Sequence, residues 1–140
     1  MKRDVFGALM TCIVAFAIAA PAVHAQTIMT ADIPFAFDVG GNQLPAGSYA
    51  VREVGARATL IQSKDGRNHV LGLYNYAGPS KTDETKLVFN KIGDHYFLSQ
   101  IWTSARSQGL QVPPSSLEKE MKVANSAILG GEEAVSVALR

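Results

Sequence analysis

An aspartate followed directly by a histidine, with a serine four residues beyond, supplies the side chains of a nucleophilic hydrolase. This set lies in NKIGDHYFLSQIW, residues 90–102. That chemistry needs the serine hydroxyl within hydrogen-bond reach of one imidazole nitrogen and the carboxylate behind the other. The spacing argues against it. If Gly93-Asp94 is a two-residue hairpin turn, Ile92 faces His95, Lys91 faces Tyr96, Phe89 faces Leu98 and Leu87 faces Gln100. His95 and Ser99 then share a face but stand ~13 Å apart along the strand. Asp94 lies in the turn, not behind the imidazole. We therefore expect a turn aspartate and a rim histidine, and assign no catalytic residue.

Other constellations are equally thin. There is no G-x-S-x-G, no phosphate-binding P-loop and no G-x-G-x-x-G after a strand. Beyond residue 25 the histidines are His69 and His95, with no third ligand at metal-binding spacing, so no metal or cofactor is expected. The acidic pairs Asp83-Glu84 and Glu132-Glu133 sit in polar or glycine-flanked segments and read as solvated surface. Tyr74, Tyr76, Tyr96 and Trp102 are the candidate ligand-binding residues, a stacking platform for a sugar or a small apolar molecule. Aromatic residues at strand spacing also serve as core or cross-strand pairs.

The elements that must position these residues are mostly strands. Ile33, Phe35, Phe37 and Val39 alternate with smaller or polar residues up to Gly40-Gly41-Asn42, which predicts one half-buried strand over 33–39. Pro45 and Gly47 mark a turn before a strand over 48–54, and KDGRN turns the chain after GARATLIQS. HVLGLYNY reads as one further strand. TKLVFNKI and HYFLSQIWT form the clearest hairpin. Its core face is expected to carry Leu87, Phe89, Tyr96, Leu98 and Trp102. After Pro113-Pro114, Ser115 and Glu118 match a capping box. Leu117, Met121, Ala124 and Ile128 share one helical face that should pack on an end or edge of the sheet, with a partner-binding surface as the alternative, before Gly130-Gly131 stops the helix. AVSVALR alternates again as a last strand.

The start of the chain concerns location. Lys2 and Arg3 precede an apolar stretch over 5–20, and Val23-His24-Ala25 is a small-residue cleavage pattern, so 1–25 is expected to be a signal peptide. The stretch is shorter than the ~20 residues a spanning helix needs. Cys12 would leave with it, so the remaining domain has no cysteine for a disulfide. Without Lys2, Arg3 and Asp4, the 13 basic and 12 acidic residues become 11 of each. A neutral chain with scattered charge offers no footprint for nucleic acid or an anionic membrane.

The stretches IPFAFDVGGNQLPAGSYAV and KLVFNKIGDHYFLSQIW resemble a family of small exported β-domain proteins frequent in acidobacterial genomes. Those carry I-P-F-x-F-x-V-G-G…L-P-A-G-x-Y-x-V and K-L-V-F…G-D-x-Y-F-L-S-Q-x-W. The resemblance spans most of the chain after residue 25. It implies an exported β-domain and brings no catalytic or binding residue with it.

The expected architecture is one domain over 26–140, all-β, an antiparallel barrel or sandwich of about eight strands with one short amphipathic helix near the C-terminus. The expected function is a non-catalytic periplasmic or secreted interaction module, bound to an envelope or extracellular protein or a small ligand. A carrier of an apolar molecule or sugar in a barrel interior is the alternative, and a hydrolase built across strands the third reading. An outer-membrane barrel is not expected, because no uninterrupted lipid-facing band is visible. If the leader reading holds, intact mass of the exported protein should correspond to a chain beginning at Gln26; retention of 1–25 would overturn the compartment.

Overall fold

The computed structural model describes residues 28–79, 83–104, 106–128 and 131–140. The expected leader at 1–25, with Cys12, lies outside them. Among the described residues the strands are β1 (Ile28–Ile33), β2 (Phe37–Val39), β3 (Asn42–Leu44), β4 (Gly47–Glu53), β5 (Ala58–Ser63) and β6 (His69–Leu73), then β7 (Asn75–Pro79), β8 (Lys86–Ile92), β9 (His95–Trp102), β10 (Gln108–Gln111) and β11 (Glu133–Ala138). One helix, α1 (Ser116–Ser126), lies between β10 and β11. One sheet runs β1-β4-β5-β6 and the other β11-β8-β9-β10-β7, with β2 paired to β9 and β3 to β2. The sheets do not close on themselves, so the all-β domain is a sandwich rather than a barrel.

Period two in the sequence becomes alternation of burial. Met29, Ala31, Ile33, Tyr49, Val51 and Ile61 point inward from the first sheet. They meet Phe37, Val39, Leu87, Phe89, Leu98, Ile101 and Leu110 from the second. The strand expected over 33–39 is two strands in different sheets. Pro34, which has no N–H for a ladder, starts a three-residue crossing from β1 to β2. The alternation persists through the crossing because both strands face the same core. HVLGLYNY is likewise divided, with Tyr74 between β6 of one sheet and β7 of the other. The Tyr74 ring turns inward over Gly72, where a Cβ would stand 2.4 Å from it.

The β8–β9 hairpin keeps the expected register from Ile92↔His95 to Phe89↔Leu98 and then slips. Gly93 has φ 61, as the first position of a tight hairpin turn requires. Beyond Leu98 the pairs are Val88↔Gln100, Leu87↔Ile101 and Lys86↔Trp102, so Ser99 is the extra residue of a β-bulge. The expected Leu87–Gln100 pair is therefore replaced, Ile101 joins the core and Trp102 moves to the outer face. Gly109 makes room there, since a Cβ at 109 would lie 2.6 Å from the indole. The Ser99 carbonyl accepts Val112 N at 2.8 Å and Gln111 Nε2 at 3.0 Å, which ties the bulge to the chain leaving β10.

The helix begins as expected, with Ser115 Oγ accepting Glu118 N at 3.2 Å. It attaches differently. Glu118, 4% exposed, accepts from Asn90 Nδ2 at 3.0 Å and pairs with Lys122 Nζ at 3.2 Å. Leu117, Ala124 and Ile128 of the expected apolar stripe stay exposed. The helix thus docks by a satisfied carboxylate against the outer face of β8, the face that holds Ile92 and Phe97 apart from the main core. Phe89→Ala should cost roughly 3–5 kcal/mol, against well under ~1 kcal/mol for Lys91→Ala on the same strand. Equal midpoint shifts for the two in urea would refute the core assignment.

Candidate functional site: a cleft beside the Gly93 turn

Two tight turns build the site. Gly40 and Gly41, at φ 59 and 94, reverse the chain between β2 and β3, and Asp38 Oδ1 accepts Gly41 N at 2.8 Å. Parallel pairing of Asp38 with Phe97 lays this hairpin alongside the start of β9. Between them opens a cleft of about 500 Å³. Asp38, Gln43, Asp94, His95 and Tyr96 supply its polar groups, and Leu117 of the helix lines it as well. Tyr96 is fixed by stacking on Phe35, ring centroids 3.8 Å apart and planes at 11°. Lys91 Nζ lies 5.8 Å from the same ring. His95 stacks on Phe97 at 6.3 Å. The residues lining it include two carboxylates, an amide and an imidazole, with Tyr96 between His95 and Phe97.

The Asp94, His95 and Ser99 set does not assemble. Ser99 is buried on the bulge, its Oγ 3.3 Å from Gln111 Nε2. Among the described residues no three His, Cys, Asp or Glu side chains group as metal ligands. No helix among them is long and apolar enough to cross a membrane.

The four aromatic candidates occupy different places. Tyr96 lines the cleft. Trp102 lies six strand residues, or ~20 Å, further along β9, where its Nε1 donates to Gln100 Oε1 at 3.0 Å. Tyr76 is exposed on β7. Tyr74 is buried, 4% exposed, and lines a second opening of about 200 Å³ between β6 and the Gly40 turn. Asp38 and Gln43 are the site residues that sequence reasoning passed over, whereas Leu117 belongs to the apolar helical stripe read from the sequence. The Gly40-Gly41 turn was legible, but nothing local signals that β2 pairs with β9. Protein-family models, curated proteins and solved structures were compared with the chain, and none matches.

Tyr74 also carries a testable electrostatic consequence. Its hydroxyl is buried without a hydrogen-bond partner among the described residues, and burial pushes its pKa up to about 12 from 10.0. Folded and unfolded phenols are both neutral below pH 10, so stability there is unaffected. Between pH 10 and 12 only the unfolded phenol ionises, and stability falls. Tyr74→Phe should remove part of that alkaline loss and stabilise the protein by roughly 1 kcal/mol at neutral pH, because an unmet hydroxyl is deleted. A destabilised phenylalanine variant would show instead that the hydroxyl has a partner.

Proposed function

We propose that the protein is an exported, non-catalytic interaction module of the periplasm or extracellular space, with the Asp38–His95 cleft as its contact surface. The observation that carries this reading is the cleft itself, lined by residues of three chain segments at the surface of a sandwich whose two sheets share an apolar core. The leader pattern at 1–25 and the resemblance to the exported acidobacterial family support the location. A hydrolase would need a nucleophile beside His95, and Ser99 is engaged at Gln111.

A carrier is the second reading. Its ligand has no barrel interior to occupy, but Tyr96 beside Asp38, Gln43 and Asp94 is chemistry that suits a sugar or another small polar-faced molecule. Immobilised exported protein should retain a specific polypeptide from envelope extract. Gln43→Trp and Leu117→Trp, both at exposed positions, fill the cleft and should weaken that retention by ~tenfold or more. Native mass spectrometry showing a small molecule lost in the same variants would select the carrier. Turnover of a hydrolase substrate abolished by His95→Gln would overturn both.

A further inference from the structure

The sandwich is finished differently at its two sides. On one side Arg140, just past β11, exchanges backbone hydrogen bonds with Thr30 of β1: Thr30 N donates to Arg140 O at 2.8 Å, and Arg140 N to Thr30 O at 2.9 Å. On the other side β6 pairs, among the described strands, with β5 alone. Exposed strand edges are normally blunted by charge, proline, shortness or cover. β1 is covered by Arg140, β3 is three residues long, β7 has Gly78 at φ 98 and ends in Pro79, and β11 opens with Glu133. β6, His-Val-Leu-Gly-Leu, contains no proline and no Asp, Glu, Lys or Arg, and it fronts the opening of about 200 Å³ whose far wall is the Gly40 turn and Pro113. Its Leu71 and Leu73 are 65% and 79% exposed.

The ladder shows which backbone groups are open. Ser63 N donates to Asn68 O, and Tyr74 N to Arg57 O, both at 2.8 Å, at the two ends of the β5–β6 pair. Antiparallel ladders alternate, so Val70 and Gly72 turn their backbone groups to β5, while His69, Leu71 and Leu73 turn theirs outward. These outward residues are symmetric about Leu71.

We infer that β6 is a self-association edge: two copies of this chain join by antiparallel pairing of β6 on a two-fold axis through Leu71, making one continuous sheet across the dimer. In that register Leu71 opposes its own copy, His69 opposes Leu73, and every outward donor and acceptor is used. The occupant is a second copy because the seam asks for an uncharged apolar strand. The outward residues of β5 behind it, Ala58, Leu60 and Gln62, add no charge, so self-pairing sets no like charges together and a charged strand would find no counter-charge. Leu60 and Leu71 are opposed in the sheet, and the pairing extends that row with the partner's leucine. This inference is independent of the cleft reading.

The exported protein should sediment as a concentration-dependent dimer. Leu71→Lys, at an exposed site, should sediment as a monomer with the wild-type far-ultraviolet circular dichroism and the melting temperature of diluted wild type. With Cys12→Ser, so that the introduced thiol stands alone, Leu71→Cys should oxidise to a cross-linked dimer. Leu73→Cys should not, because the two-fold separates the two 73 positions by ~13 Å along the seam, beyond the ~7 Å Cα limit of a disulfide. A wild-type monomer at all concentrations, equal cross-linking at 71 and 73, or recovery as a complex with a different polypeptide on this edge would each overturn the inference.

Discussion

The contact of Phe37 with Tyr49 joins the two sheets. Their rings meet edge to face at 5.2 Å, and Phe37 meets Phe89 in the same way at 5.4 Å. Tyr49 belongs to the first sheet and the other two to the second, so this cluster is the seam of the sandwich. No disulfide can replace it, since the chain's one cysteine is Cys12. Phe37 reaches this position only because the chain crosses between sheets at Pro34. The same crossing brings Phe35 against Tyr96, so the segment that secures the core also sets the aromatic wall of the cleft.

Polar contacts hold the perimeter where the apolar core runs out. Glu53 accepts Thr103 Oγ1 at 2.9 Å and Arg106 Nε at 2.7 Å, and Arg106 Nη2 reaches Gly55 O at 2.8 Å. The β4–β5 turn is thereby tied to the segment after β9. Glu118 does the same for the helix. A buried carboxylate is tolerable only when paired and hydrogen-bonded, and Asn90 and Lys122 provide both. Because a polar anchor docks the helix, Leu117 remains free to line the cleft.

The bulge at Ser99 has consequences at both ends of β9. It binds the serine, already out of reach of His95 by strand spacing, to Gln111. It also reverses the facing of the residues that follow, which puts Ile101 inside and Trp102 outside. The candidate chemistry is consequently concentrated near Asp94 and His95, at the turn end of the hairpin, where β2 and β3 complete the cleft.

What the sequence determined by itself was local. Alternating Ile33, Phe37 and Val39, glycine at 93 and serine at 115 dictated strands, a tight turn and a helix cap, because periodicity, a positive φ and a hydroxyl acceptor act within a few residues. The spacing of His95 and Ser99 also sufficed to separate them. Tertiary structure alone decided which sheet each strand joined, and it set the parallel approach of Asp38 to Phe97, the slip at Ser99 and the burial of Glu118. Those outcomes depend on partners distant in the chain: β10 receives the bulge, Asn90 receives the carboxylate, and a filled core accepts Ile101 in place of Trp102.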